Sequence, residues 1–369
     1  MIYFDYNATT PLDERVLAVM LPFLTHFYGN PSSLYRHGRL ARSAIDTARE
    51  QVAALVDAPA AQIIFTSGGT EANNLALATL PLQGRLAISA LEHPSITQPA
   101  QRLKSLGTPL DIIAVDSNGL IGTEAVTAII DRQPALVSIM LANNETGIIQ
   151  DLVPLVEQLT AHNIAVHTDA VQALAKISVS FRQTGVQLMS LSSHKIYGPK
   201  GCGALVYDKG TTITPLLSGG GQEQGLRAGT ENVAAIVGFG KAAELAKAEL
   251  VTRNTQLAKL RQLLEDGLST INGLIIFAQT AQRLPNTVQF GLLGLDGEML
   301  LMKLDQKGIA VSSGSACASG GSLPSPVLLA MGVDETLAKS AIRVSLGVNN
   351  TEAEITEFIN QLKALVFQV

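Results

Sequence analysis

Lys195 lies in the chemically most suggestive surroundings of the sequence. It belongs to the stretch Ser192 to Gly201, which follows an apolar run, Val186 to Leu191, that predicts a buried strand. Burial at the end of such a strand disfavours the ammonium form of a lysine and makes a neutral amine available for imine chemistry. The neighbouring Ser192 and His194 are donors that can hold an anion such as a phosphate. An ordinary solvated lysine also fits this stretch, so a catalytic role for Lys195 needs support from the rest of the chain.

A second candidate for phosphate binding is the turn 67–70, of sequence Ser-Gly-Gly-Thr, between a short apolar strand and a predicted helix. A glycine pair lets the backbone approach a ligand closely, and the free N–H groups at a helix N-terminus favour a phosphate. Gly69 and Thr70 are therefore candidate phosphate-binding residues. A turn that merely connects two elements is the alternative.

Further polar residues follow other predicted strands. His93 comes after the apolar run 85–90, and Asn144 lies in a dense polar cluster after the run 135–141. In open sheets of parallel strands, ligands bind beyond the carboxyl ends of the strands. The residues that share this predicted position are Thr70, His93, Asn144, Asp169, Gln172 and Lys195. Their common placement predicts a single site.

Two residues near the end of the chain add a nucleophile and a cation. Cys317 lies in the run 312–322, which otherwise contains only serine, alanine and glycine. Such a run cannot pack a core, so it predicts a mobile loop that carries an exposed nucleophilic thiol. Arg343 lies within an otherwise apolar strand, where an inward arginine is costly unless it binds an anion, most naturally a carboxylate.

The elements that must position these residues predict an α/β fold. Strands alternate with helical segments, which is typical of a mostly parallel sheet with helices on both faces. The 369 residues suit one large domain and a smaller one, and a run of helix formers, Val233 to Ser269, is long enough to bridge them. Arg39, Arg42 and Arg49 are predicted to form a solvated helix face, and residues 219–232 a flexible connection.

Composition argues against several classes of protein. The net charge is −5 and aromatic residues make up 4%, whereas a nucleic-acid-binding domain carries a strong basic excess. The hydrophobic fraction of 47% with 32 glycines fits a soluble α/β enzyme. No secretory signal or membrane-spanning run is recognisable, and the two distant cysteines are more typical of free thiols than of a disulfide. We therefore expect a cytoplasmic enzyme with no nucleic-acid, membrane or metal site.

Together, these residues predict a pyridoxal phosphate site that acts on an amino acid. In such a site Lys195 holds the cofactor. Asp169 keeps the pyridinium nitrogen protonated, so that the ring withdraws electrons from the substrate α-carbon. Arg343 binds the substrate carboxylate.

From residue 3 to residue 347 the chain resembles the cysteine desulfurases of the iron–sulfur-cluster and nitrogen-fixation type. These belong to the class V aminotransferase family of fold type I. The most specific stretches are Ser-Ser-His-Lys-Ile-Tyr-Gly-Pro-Lys-Gly at 192–201 and Ser-Ser-Gly-Ser-Ala-Cys at 312–317. The second is similar to the group of this family that has a long cysteine loop.

This resemblance implies a two-domain organisation. The large cofactor-binding domain comprises residues 15–255, with a mostly parallel seven-stranded sheet flanked by helices. The small α/β C-terminal domain comprises residues 256–369 and carries the cysteine loop. An N-terminal segment, residues 1–14, is implied to pack with the small domain.

The resemblance also implies a role for each site residue. Lys195 binds the cofactor covalently and shuttles protons, Asp169 pairs with the pyridinium nitrogen, and Cys317 is the nucleophile. Asn144 and Arg343 bind the substrate carboxylate. The remaining cofactor contacts are the catalytic His93 stacked on the ring, Gln172 at the ring hydroxyl, Gly69, Thr70, Ser192 and His194 at the phosphate, and Thr230 at the phosphate of the other subunit in a homodimer.

The implied reaction takes sulfur from L-cysteine and leaves L-alanine and a persulfide on Cys317. The sulfur then passes to an acceptor, such as a scaffold protein for iron–sulfur cluster assembly. The alternatives are a selenocysteine lyase, another class V enzyme such as an aminotransferase, or a non-catalytic sulfur carrier. An aminotransferase does not need Cys317, and a carrier does not need Lys195, Asp169 and Arg343 together, whereas selenocysteine remains open as a substrate.

Overall fold

The computed structural model describes residues 1–313 and 323–366. The described strands are β1 (Ile2–Tyr3), β2 (Ile63–Thr66), β3 (Leu86–Ser89), β4 (Leu110–Ile113), β5 (Leu136–Ser138), β6 (Ala165–Asp169), β7 (Leu188–Ser192), β8 (Gly203–Tyr207), β9 (Leu274–Ile276), β10 (Thr287–Leu292), β11 (Ile309–Ala310) and β12 (Ile342–Ser345). Seven of them form the largest sheet, in the order β2-β8-β7-β6-β5-β3-β4. Within it β8 runs antiparallel to both of its neighbours and the other pairs are parallel. The predicted mostly parallel seven-stranded sheet is confirmed.

The helices cover both faces of this sheet and build a second unit. They are α1 (Glu14–Thr25), α2 (Arg36–Leu55), α3 (Gly69–Leu77), α4 (Pro94–Ser105), α5 (Thr123–Ile130), α6 (Leu152–Thr160), α7 (Phe181–Thr184), α8 (Val233–Ser269), α9 (Gly297–Gln306), α10 (Pro326–Ala330), α11 (Glu335–Lys339) and α12 (Glu352–Val366). Side-chain caps fix several starts: Asp13 accepts from the backbone N–H of Arg15 at α1, and Asn232 accepts from that of Ala235 at α8. The predicted helix from 233 to 269 is confirmed.

The large sheet separates two apolar cores because successive side chains of a strand point to opposite faces. On β2, Ile63 and Phe65 pack into one core, whereas Ile64 packs into the other. β6 is buried along four of its five residues and β7 along all five. Both faces of the sheet are thus covered, and the carboxyl ends of the parallel strands remain as the place where polar side chains can gather.

A second unit is built around a three-stranded antiparallel sheet in the order β12-β10-β9. β1, at the start of the chain, pairs in parallel with β11, and Phe4 is fully buried in the core of this unit. α8 belongs to both units, since Phe239 and Ala243 pack into the core of the large sheet and Leu264 into the second core. We propose that the boundary between the two domains lies within α8, near residue 255.

The solvated face that was predicted for α2 is wrong for two of its three arginines. Arg49 donates to both carboxylate oxygens of Glu223 at 2.7 Å, and Glu223 is only 7% exposed. Arg42 pairs with the buried Glu231 at 2.8 Å. Arg39 is exposed, as predicted. Residues 219–232, which were predicted to be a flexible connection, therefore carry buried acidic side chains that anchor the segment to α2.

Among the residues that the structure describes, no helix is both long and apolar enough to cross a lipid bilayer.

Candidate active site

A cavity of about 290 Å³ lies at the carboxyl ends of the parallel strands. Its lining includes ten of the residues predicted from the sequence: Gly69, Thr70, His93, Asn144, Asp169, Gln172, Ser192, His194, Lys195 and Arg343. The rule that ligands bind beyond the carboxyl ends of such strands therefore located the cavity correctly. Two predicted residues are not part of this lining. Thr230 is exposed on the surface, and Cys317 lies outside the described residues.

Asp169 is the last residue of β6 and is 5% exposed. Its Oδ2 accepts a hydrogen bond from Asn73 Nδ2 at 2.7 Å, and its Oδ1 accepts from the backbone N–H of Val171 at 2.9 Å. Both donors are neutral groups, and together they fix the orientation of the carboxyl group. Such a group can hold a protonated ring nitrogen.

His93 is the N-cap residue of α4 and borders the same cavity. Its Nδ1 accepts a hydrogen bond from the backbone N–H of Ser95 at 3.1 Å, so the proton of the neutral ring is on Nε2. Burial lowers the pKa of His93, the charge of Asp169 raises it, and the charge of Lys195 lowers it. The lowered pKa favours the uncharged ring, which can lie against an aromatic ligand.

One end of the cavity fits a phosphate. α3 begins at Gly69, and a Cβ there would lie 3.0 Å from Val171 Cγ2 and 3.5 Å from Ser192 Cβ, so a glycine keeps this cradle open. The hydroxyl of Ser192 is buried and has no hydrogen-bond partner among the described residues. Burial, then Lys195 and Lys200, lower the pKa of His194 to about 4. The buried hydroxyl and the free helix N-terminus match the acceptor oxygens of a phosphate.

Lys195 is held by the N-terminal segment. Its Nζ donates to the backbone carbonyl oxygens of Asn7 at 2.6 Å and Ala8 at 2.7 Å. Both acceptors are neutral and the side chain borders the cavity. The amine is thus fixed at the position where a covalently bound cofactor would be attached.

Asn7 is a site residue that the sequence did not reveal. It is 1% exposed, and besides Lys195 it bonds Gln172, Lys176, Asn144, Thr287, Asn286 and Ser345. In the sequence it belongs to a polar turn close to the N-terminus, and most of its partners lie more than 100 residues away. No local pattern pointed to this role.

Lys176 is a second buried lysine that was not predicted. Its Nζ donates to Gln172 Oε1 at 2.7 Å and to Asn7 Oδ1 at 2.9 Å. Burial lowers the pKa of Lys176 well below its ordinary value, and the charges of Lys195 and Arg343 lower it further. Because Lys176 occupies the amide oxygen of Gln172, the orientation of this glutamine is fixed, with its amide nitrogen donating to the Asn7 carbonyl oxygen at 3.0 Å.

Arg343 lies on β12, is 3% exposed and reaches the cavity, as predicted. Its Nη2 pairs with Asp5 Oδ1 at 2.6 Å, and its Nη1 donates to the backbone carbonyl oxygen of Asn144 at 3.1 Å. The sequence did not predict the contact with Asp5. A guanidinium at this position leaves donors for a small carboxylate.

A chain of buried polar side chains lies behind the cavity and was also missed. Glu92 accepts from the backbone N–H of Met140 at 2.6 Å and from Ser138 Oγ at 3.4 Å, and Ser138 in turn bonds His167 Nδ1 at 2.9 Å. Burial, then the charge of Asp169, raise the pKa of Glu92 to about 8. Burial lowers the pKa of His167 to about 4. Both groups are therefore largely neutral at pH 7.

The fold and the cavity together define the class of protein. A seven-stranded mostly parallel sheet with a lysine, an oriented aspartate and a phosphate cradle at its carboxyl edge is the arrangement of pyridoxal phosphate enzymes of fold type I. The residues present fit this cofactor.

Comparisons with known proteins identify the family. The aminotransferase class-V family pattern matches residues 2–358. A cysteine desulfurase IscS of Dictyoglomus turgidum is 41% identical, over 99% of this chain and 94% of that protein. Among solved structures, a NifS-like protein superposes with a TM-score of 0.92 at 37% identity over all of both chains, and SspA in complex with cysteine does so with 0.82 at 30% identity over 95% of this chain and all of that one. The chain belongs to the class-V aminotransferase family, whose desulfurases depend on pyridoxal phosphate.

Proposed function

We propose that this protein is a cysteine desulfurase, which converts L-cysteine to L-alanine and holds the sulfur as a persulfide on Cys317. One observation carries the proposal: a single cavity presents the Lys195 amine, the Asp169 carboxylate and the Arg343 guanidinium in a chain of this family. Relatives with about 40% identity over nearly the whole chain are named cysteine desulfurases.

Eight of the lining residues would hold pyridoxal phosphate. Lys195 would carry the cofactor, Asp169 would keep the ring nitrogen protonated, and His93 would lie against the ring. Gln172 would contact the ring hydroxyl, and Gly69, Thr70, Ser192 and His194 would hold the phosphate. When bound, the cofactor supplies an electron sink that weakens the bonds at the substrate α-carbon.

Side chains of the protein orient the substrate and transfer its protons. Arg343 and Asn144 hold the substrate carboxylate, which orients the α-carbon toward the Lys195 amine. Lys195 removes the α-proton and later returns protons to the carbon skeleton. The lowered pKa of His93 favours its uncharged form, which keeps a second positive charge away from the reacting amine.

Sulfur transfer is assigned to Cys317, which lies outside the described residues. Its thiolate attacks the substrate sulfur, so that a sulfur–sulfur bond forms and the bond between that sulfur and the substrate β-carbon breaks. The electron pair of the broken bond remains with the carbon skeleton, which is protonated and released as L-alanine. The other cysteine, Cys202, is 1% exposed, and burial raises the pKa of its thiol, so it is unsuited to this role.

The test compares the wild-type protein with Cys317→Ala, both loaded with pyridoxal phosphate. With L-cysteine and a reductant, the wild type should form alanine and sulfide in equal amounts. The variant should retain the visible absorption band of the cofactor but release no sulfide. Sulfide release by the variant at the wild-type rate would refute the assignment of Cys317.

We further propose that the protein is a homodimer. Leu17, Leu21 and Leu24 form an exposed apolar stripe along α1, and Tyr28, just beyond the end of the helix, is also exposed. Thr230 is exposed and does not border the cavity of its own chain. In a dimer, each Thr230 would reach the phosphate in the other subunit.

The destination of the sulfur is also part of the proposal. A persulfide must be passed to a thiol of an acceptor, and a scaffold protein for iron–sulfur cluster assembly is the acceptor we propose. The location we propose is the cytoplasm, where thiols remain reduced.

A further inference from the structure

Arg343 is anchored through its backbone on both sides of β12. It lies opposite Gln289 of β10, and its N–H and C=O both bond residue Ser312. The Asp5 backbone bridges to Ser345 on the same strand, two residues from Arg343. The relative positions of Asp5 and Arg343 are therefore set by main-chain pairing, and only the guanidinium orientation is left to side-chain contacts.

The donors of the guanidinium are unevenly occupied. Asp5 Oδ1 accepts from Nη2 at 2.6 Å and the Asn144 carbonyl oxygen accepts from Nη1 at 3.1 Å. The Nε of Arg343 is buried and has no hydrogen-bond partner among the described residues. A buried donor without a partner is costly, and this one belongs to a side chain that borders the cavity. Nη1 and Nη2 each carry a second N–H that the contacts with Asn144 and Asp5 do not use, and these donors are available to a ligand.

Glu145 is a second carboxyl group that interacts electrostatically with Arg343. Its Oε2 accepts hydrogen bonds from both Ser325 and Gln289, and no hydrogen bond joins it to Arg343 among the described residues. Burial raises the pKa of Glu145, an effect that Ser325 and the charge of Arg343 oppose. Asp5 is thus the carboxylate in direct contact with the guanidinium.

We propose that Asp5 is a positioning residue that fixes the guanidinium of Arg343, so that its free donors receive the α-carboxylate of an amino-acid ligand. Asp5 holds one nitrogen by a charge-assisted hydrogen bond, and the planar group then has a single orientation. The proposal rests on the proposed function, because it requires an amino acid in the cavity. It adds that the N-terminal segment contributes to recognition of the carboxylate.

The experiment measures binding of two ligands that differ only in the carboxylate: L-alanine, and ethylamine, which lacks it. The dissociation constants are read from the change in the visible spectrum of the cofactor-loaded protein. Asp5→Ala should weaken the binding of L-alanine about tenfold or more, which corresponds to the loss of one charge-assisted hydrogen bond. The dissociation constant of ethylamine should stay within about twofold of the wild-type value. Asp5→Asn keeps an accepting oxygen and should restore most of the affinity for L-alanine.

A double-mutant cycle separates positioning from a general loss of structure. In an Arg343→Ala background, the Asp5→Ala change should have no further effect on L-alanine binding. The control is Asp13→Ala, which breaks a surface ion pair with Arg15 in the same segment. It should change the affinity for neither ligand. An unchanged affinity of Asp5→Ala for L-alanine, or an equal loss for both ligands, would overturn the proposal. Sulfide and alanine formation by the wild type tests the proposed function separately.

Discussion

Two carboxyl groups close to each other, Glu92 and Asp169, have different surroundings. Asp169 receives hydrogen bonds from Asn73 and Val171, both aimed at its carboxylate oxygens. Glu92 is fully buried, and the charge of Asp169 adds to the cost of ionising it. Of the two, Asp169 is the carboxyl group that borders the cavity, where it can accept a hydrogen bond from a ligand.

Glu92 predicts a pH dependence of stability. Its pKa is raised from 4.5 to about 8 in the folded protein, so between these values the folded state binds more protons than the unfolded state. The free energy of unfolding therefore falls as the pH rises through this window. In urea unfolding, the free energy of unfolding of the wild type should fall between about pH 6 and pH 8 by about 2 kcal/mol more than that of Glu92→Gln. Identical pH profiles of the two proteins would contradict the raised pKa.

Asp169→Asn tests the charge at the cavity floor. An amide cannot hold the ring nitrogen in its protonated form, so kcat for alanine formation should fall by about 100-fold or more. The phosphate end is untouched, and the variant should still bind the cofactor in a one-to-one ratio, measured by its absorbance after release in alkali. Activity within a few fold of the wild type would show that Asp169 does not act on the ring.

At the scale of the elements, apolar runs predicted the strands well because the large sheet is buried on both faces. The run 186–191, for example, predicted β7, which spans Leu188–Ser192. The faces of helices were harder to predict. The sequence predicted that Arg49 is a solvated residue of α2. In the structure it pairs with Glu223, which lies 174 residues further along the chain. Only the folded structure brings these charges together.

The Arg49–Glu223 pair predicts a large effect of removing one partner. Arg49→Met leaves Glu223 buried without its cation, and the free energy of unfolding should fall by about 3–5 kcal/mol. The double variant Arg49→Met/Glu223→Gln should recover part of this loss. Lys259→Met, which breaks an exposed pair with Glu352, is the control and should have a much smaller effect. Equal effects of Arg49→Met and Lys259→Met in urea unfolding would contradict the burial of the pair.

At the scale of the whole molecule, the active site joins parts that are remote in the chain. The strand-end rule predicted six of the lining residues, Thr70, His93, Asn144, Asp169, Gln172 and Lys195, because parallel strands place their carboxyl ends at one edge. Asp5, Asn7 and Lys176 were missed because their roles depend on contacts with distant segments rather than on a local pattern. The N-terminal segment contacts both units, through the bond from Lys195 to Asn7 and the pairing of β1 with β11.

The proposed dimer predicts an effect of charge on the exposed stripe of α1. The double variant Leu21→Glu/Leu24→Glu should sediment as a monomer at concentrations where the wild type is a dimer, because charged side chains oppose burial of this face. Leu82→Glu, on an exposed loop elsewhere, is the control and should not alter the sedimentation coefficient. A dimer that persists in the double variant would place the interface on another surface.

The most direct test of the desulfurase account is mass spectrometry of the two cysteine-containing peptides after incubation with L-cysteine. The thiols are alkylated without a reductant, so that a persulfide is retained. We expect one added sulfur atom on the Cys317 peptide, appearing together with alanine, and none on the peptide of the buried Cys202. Alanine formation with no sulfur on Cys317, or with sulfur on Cys202 instead, would contradict it.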